Sequence, residues 1–172
     1  FRTQFTQQMV VDYEHFDNTI DFYALDGNRS YTDNYQVDFS VDPVERFNIT
    51  ATFRYTDARI ELAGKGLVEK PMTSRFKGVL NLQYATNMNK WVFDFTASLN
   101  GSCRVYDFMK NLKDADGNLL YANGRTPVYP LLYAQVTRKL RGVDLYVGAE
   151  NLTNFKQKPA IIGTRGADGY IN

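Results

Sequence analysis

Apolar and polar side chains alternate one by one through most of this chain, and that period confines it to extended strands with two unlike faces. Over 31–41 the odd positions hold Tyr31, Asp33, Tyr35, Val37, Phe39 and Val41. The even positions hold Thr32, Asn34, Gln36, Asp38 and Ser40. Over 47–55 the apolar face is Phe47, Ile49, Ala51, Phe53 and Tyr55, against Asn48, Thr50, Thr52 and Arg54. Over 76–84 it is Phe76, Gly78, Leu80, Leu82 and Tyr84, and over 91–99 it is Trp91, Phe93, Phe95, Ala97 and Leu99. Segments 128–136 and 143–149 alternate less cleanly, and 5–13 opens the series with Phe5, Met9, Val11 and Tyr13 on one side. No stretch carries a convincing 3.6-residue apolar stripe. The expected fold is all-β, an antiparallel up-and-down meander of seven strands.

The connections have a rhythm of their own. Residues 42–46, 85–90 and 139–142 join strands in a few residues, whereas 14–30, 56–75 and 101–127 are long and polar. Alternating short and long connections are the habit of outer-membrane barrels, and Greek-key sandwiches do not share it. Eight steps from Phe47 to Tyr55 rise about 26–27 Å, and a tilt of roughly 40° leaves about 20 Å of depth. That is close to the apolar band of a transmembrane barrel, about 25 Å. Aromatic rings end these faces at Tyr31, Phe47, Tyr55, Phe76, Tyr84 and Trp91, as an interfacial girdle requires. Seven strands are an odd number, and an open sheet edge cannot face lipid. The expectation is therefore a segment of a larger transmembrane barrel. The alternative is a soluble β-sandwich, a ligand-binding or interaction module whose aromatic face is a closed core.

Composition excludes several other classes. The chain has 172 residues, with 20 Lys+Arg against 19 Asp+Glu, so it lacks the basic excess that neutralises nucleic-acid phosphates. It carries 12 Phe, 12 Tyr and 1 Trp, which is too aromatic for a disordered segment. Its apolar runs are only a few residues long, so no helix of it could span a membrane. The single Cys103 cannot form an internal disulfide.

Certain residues resemble a known family. Tyr146-Val147-Gly148-Ala149-Glu150-Asn151-Leu152-Thr153-Asn154-Phe155-Lys156-Gln157 resembles the near-terminal strand of TonB-dependent outer-membrane receptors, which runs into a G-x-E-N-L-[TF]-[ND] motif. Lys70-Pro71-Met72-Thr73-Ser74-Arg75 and Lys90-Trp91-Val92-Phe93-Asp94 resemble the openings of late strands there. Gln157-Lys158-Pro159-Ala160-Ile161-Ile162 is similar to the Bacteroidetes-type versions. In rhythm the resemblance covers most of the chain; its specific part is Glu150 to Asn154.

That resemblance implies that residues 1–172 are the C-terminal portion of a barrel of about 22 strands, with the plug domain and the last strand outside them. It implies the outer membrane of a Gram-negative bacterium and energised uptake of a nutrient such as a siderophore, another metal chelate, cobalamin or a glycan. The implied partners are outer-membrane lipid, the TonB complex through the plug, and the small nutrient ligand. Nucleic acid is not among them. The strand from Val143 would run outward, which places 14–30, 56–75 and 101–127 outside the cell. Within the motif, Gly148 is expected to permit close approach in the sheet. Glu150 is expected to share the inward face with Tyr146, and Asn151 and Asn154 to build the closing turn.

Residues with catalytic or metal-binding chemistry are few. His15 lies near Asp12 and Glu14, but a zinc site needs three or four ligands, and no nucleophile accompanies it. Asp114-Ala115-Asp116-Gly117-Asn118 has the look of a calcium loop, yet Leu112 and Asn123 would take its first and twelfth positions. A hairpin turn is the expected reading. The stretch Arg104-Val105-Tyr106-Asp107-Phe108-Met109-Lys110-Asn111 mixes rings and cations, as a site for an anionic, ring-bearing ligand would. It reads equally as a loop packed on its neighbours. No catalytic residue, metal ligand or cofactor is expected, and the binding residues are left open.

Overall fold

The alternating segments form strands, and those at Tyr31, Phe47, Phe76, Trp91 and Val143 start at the first residue of their pattern. The structure, a computed structural model, describes residues 1–13, 20–26, 29–113, 116–121 and 123–156. Its strands are β1 (Arg2–Gln4), β2 (Gln7–Asp12), β3 (Asp21–Asp26), β4 (Tyr31–Val44), β5 (Phe47–Leu62), β6 (Gly66–Glu69), β7 (Phe76–Ala85), β8 (Trp91–Asn100), β9 (Tyr129–Leu140) and β10 (Val143–Ala149). One antiparallel sheet runs in the order β1-β4-β5-β7-β8-β9-β10, with β6 paired to β5. The sheet is an open meander, not closed on itself among the described residues. Two single 3-10 turns, Asn87–Asn89 and Asp107–Asn111, are the only helical elements described.

The ladder registers put the apolar faces of separate strands side by side. Phe53 pairs with Val37 on one side and Gly78 on the other, Leu80 with Ala97, and Phe93 with Val136. The result is one apolar surface six strands wide, from β4 to β10, with a polar surface behind it. Neither is covered by another layer among the described residues. Val37 is 68% exposed and Phe53 52%, values far outside the core range for such residues. Aromatic pairs stack at both ends of the apolar face. Tyr84–Phe93 and Trp91–Phe93 lie toward the short turns, and Tyr35–Tyr55 and Phe53–Phe76 toward the long connections. Arg138 sits over the Trp91 ring at 4.7 Å.

Strand β5 does not stop at Tyr55. It continues to Leu62, but its polarity inverts. Below Tyr55 the odd positions are apolar; above it they are Asp57, Arg59 and Glu61, while the even positions Ala58 and Leu62 are buried. A strand has only two sides, so the inversion moves the apolar side of one unbroken strand to the opposite face.

The opening strand also differs from the expectation over 5–13. Only Arg2–Gln4 joins the main sheet, clamped by the Arg2 guanidinium on Asp33 at 2.6 and 2.5 Å. β2 leaves the sheet and pairs with β3, burying Val10 and Asp12 completely. Alternation marks a strand without saying which sheet it joins.

The buried residues gather at the long-connection end. Val105, Met109 and Tyr121 form a small core with Tyr106, Leu112 and Leu120 packed around it. The β2–β3 hairpin, the β5–β6 hairpin and the 101–128 connection together make a cap over that end. Tyr23 Oη ties two of these pieces by donating to Asp12 at 3.0 Å and accepting from the Ala63 N–H at 2.9 Å.

Gly101 joins β8 to the cap where no side chain fits. A Cβ there would lie 2.5 Å from the Phe76 carbonyl oxygen and 2.9 Å from its ring. At Gly148 the same atom would meet Ala134 O at 3.5 Å, an ordinary contact, so the expected need for glycine at 148 does not hold. Gly101→Ala should therefore destabilise the intact protein by about 1–3 kcal/mol, and Gly148→Ala should stay within about 0.5 kcal/mol of wild type. Thermal or denaturant unfolding of both variants checks this; equal effects would contradict it.

Candidate functional site

Two regions carry the polar chemistry of this molecule, the polar face of the sheet and the cap. On the polar face the side chains bond one another across the ladder. Asn81 Nδ2 donates to Thr96 Oγ1 at 2.8 Å, and Gln83 Nε2 to Asp94 Oδ1 at 2.8 Å. Thr52 Oγ1 donates to Asp38 Oδ1 at 2.7 Å, and Thr56 Oγ1 to Asn34 Oδ1 at 2.9 Å. Asn81, Asp94, Tyr133, Gln135 and Tyr146 line an open trough of about 540 Å³, and Glu150 lines it beside Gly148. The lining offers amides, hydroxyls and carboxylates, a surface suited to hydrogen bonding.

In the cap, two carboxylates hold the connections together. Glu69 at the end of β6 accepts from Arg125 at 3.0 and 2.9 Å and from Arg75 at 3.0 and 2.6 Å. Arg104 Nη1 also donates to the Glu69 carbonyl at 3.2 Å. Asp107 takes Lys110 at 2.6 Å, Lys65 at 2.8 Å and Arg104 at 3.0 Å. Burial pushes both carboxyls up, but these cations outweigh it. The Arg125 and Arg75 hydrogen bonds hold Glu69 below its ordinary range. Lys110, Lys65 and Arg104 hold Asp107 well below its own.

This geometry settles the reading of 104–111. Its cations are engaged with Asp107, and its rings with one another. Tyr106 stacks on Phe108 at 5.6 Å and meets Tyr13 at 5.2 Å, while Val105 and Met109 are core. The stretch is a loop packed on its neighbours. Around Gly117, which has a φ of 83°, Lys113 and Leu119 form an antiparallel bridge. That is the expected hairpin turn, although Asp114 and Ala115 lie outside the described residues. His15 and Glu14 also lie outside them, and Asp12 is bonded to Tyr23. Among the described residues no group of three or more His, Cys, Asp or Glu could hold a metal ion. Burial raises the Cys103 thiol pKa, which keeps it protonated and a poor nucleophile.

The Glu150-to-Asn154 stretch closes β10 with a locked turn. Asn151 and Asn154 have φ values of 51° and 49°, a region asparagine tolerates better than most residues. The Asn151 carboxamide accepts from the Phe155 N–H at 2.9 Å and donates to the Phe155 carbonyl at 2.9 Å. Phe155 then stacks on Tyr129 at 4.5 Å, fastening the turn to the start of β9.

The cap carboxylates set a pH dependence. Their folded pKa values are depressed, so their contribution is complete above the unfolded value, about 4. It is lost as the pH falls through the lower folded values. Hydrogen exchange at the Val105 N–H, which is bonded to the Gly124 carbonyl at 3.0 Å, should accelerate relative to the β7–β8 ladder below about pH 4. Glu69→Gln should loosen the same amide at neutral pH by about 2 kcal/mol. Uniform loosening of cap and sheet would contradict both expectations.

No known protein family matches the sequence, and no curated protein matches it.

Proposed function

We propose that this chain is wall and external cap of a TonB-dependent receptor, in the outer membrane of a Gram-negative bacterium. The observation that carries the reading is the apolar surface from β4 to β10, uncovered and bounded at each end by rings. Its length along Phe47 to Tyr55, about 26–27 Å, suits the apolar band of a tilted barrel. The inversion in β5 supports it further. On the outer side of one strand, Phe53 and Tyr55 give way to Asp57 and Arg59, the change a surface shows where hydrocarbon ends and water begins.

On this reading the apolar face meets lipid and the polar face lines the lumen. The cap lies outside the cell, where nutrients arrive, and the short turns lie in the periplasm. The segment performs no chemical step. Energy for uptake comes from the TonB complex through a plug domain outside these residues, and the cargo is a scarce nutrient such as a metal chelate, cobalamin or glycan. The resemblance at Glu150 to Asn154 supports the family, and the edge of β10, unpaired among the described residues, is where a further strand would pair.

Phe53 and Arg54 are neighbours on opposite faces, which makes the test local. Labels at Phe53→Cys and Arg54→Cys, in a Cys103→Ala background of the intact reconstituted protein, should differ. Lipid-borne quenchers should reach the label at 53 and not the label at 54. Quenching at 54 alone, or at neither, would overturn the proposal; the second outcome is what a covered sandwich predicts.

A further inference from the structure

Arg54 and Lys77 are direct partners across the β5–β7 ladder. Such partners hold their Cβ atoms about 4.5–5.5 Å apart, and like charges placed so repel. Both side chains are exposed on the polar face, and neither reaches a carboxylate among the described residues. Several other arginines have a carboxylate: Arg2 lies on Asp33, Arg29 on Glu61, Arg59 on Asp57 and Arg125 on Glu69. The acid beside Arg54 in the ladder is already engaged. Asp38 is diagonal to Arg54 in the ladder and accepts from Thr52 at 2.7 Å and Gln36 at 2.9 Å. On the far side of Lys77, its ladder partner Asn100 makes no side-chain hydrogen bond among the described residues.

A guanidinium fork, an ammonium and a carboxamide thus stand in one row, rich in donors that have no acceptor. We propose that Arg54, Lys77 and Asn100 form an oxyanion site that takes a carboxylate or phosphate group. The fork supplies paired N–H donors and the ammonium a point charge, the two complementary ways of holding such an anion. A bound anion turns the repulsion within the pair into shared attraction. The site goes beyond the receptor reading and stands on the ladder register alone. Within that reading the row lies on the lumen side, beneath the cap. The oxyanion then comes from a solute or from a carboxylate elsewhere in the same receptor.

Calorimetric titration of the intact protein with citrate and with inorganic phosphate, together with thermal melts, tests the site. If the anion is a solute, wild type binds a probe saturably. Arg54→Gln and Lys77→Gln each weaken that binding about tenfold or more, and Lys77→Arg retains it. If the anion is internal, wild type binds neither probe. Both glutamine variants then melt below wild type, while Lys77→Arg and the remote Lys113→Gln do not. Probe binding unaffected by the variants would overturn the site. So would the absence of binding together with variants that melt at or above wild type, as bare repulsion predicts. Failure of the Phe53 and Arg54 labels to separate would leave this result untouched.

Discussion

Sideways backbone pairing is the constraint on which everything else in this molecule rests. In an antiparallel ladder the N–H and C=O groups are satisfied within the plane of the sheet, by the neighbouring strands. The ladder from β4 to β10 therefore does not need a layer packed on either face to satisfy its backbone. That frees the two faces to answer to different surroundings, one with Val37, Phe53 and Leu80, the other with Asp38, Thr52 and Asn81. A globular sheet of this width would hide at least one face. Among the described residues the compact core is in the cap, around Val105, Met109 and Tyr121.

The cap depends on the ladder in turn. Its three connections arise from neighbouring strands, so the sheet delivers their ends to one side at fixed spacing. Glu69 gathers Arg75 from its own connection and Arg125 from the next, and Asp107 gathers Lys65 across the same gap. These are partly buried, hydrogen-bonded charges. Such arrangements contribute less through net stability than through the penalty for breaking one partner away. They fix which connection lies beside which, while the small apolar cluster supplies the burial.

Much of the sheet was legible because alternation and strand are nearly the same statement. Tyr31, Phe47, Phe76, Trp91 and Val143 begin both a sequence pattern and a strand. The upper part of β5 was illegible for a specific reason. Its apolar set crosses from odd to even positions after Tyr55, which imitates the end of a strand. β3 and the destination of β2 were missed because a six-residue ribbon has no signal for its partner sheet. The cap core was equally hidden, since Val105, Met109 and Tyr121 share no simple period. The Arg54–Lys77 row could not be seen at all from single strands. Each residue reads as an ordinary polar-face charge, and only the inter-strand register sets them opposite one another. The turn after β10 lay at the other extreme, since the asparagines at 151 and 154 announce the left-handed conformations they adopt.

The inversion within β5 also acts as a check on alignment during assembly. A strand with one uninterrupted pattern can slide by two residues and still present a plausible face. β5 cannot, because it carries two patterns of opposite phase joined at one point. A slide of two toward the cap carries Phe53 to the level that Tyr55 now holds and draws Tyr55 among the charges of Asp57 and Arg59. A slide the other way pulls Asp57 into the apolar surface. A slip of one residue is worse, exchanging the faces along the whole strand. The junction at Tyr55 works like the zero mark of a ruler, giving β5 one register at which both halves are content, and its neighbours inherit that register through the ladder.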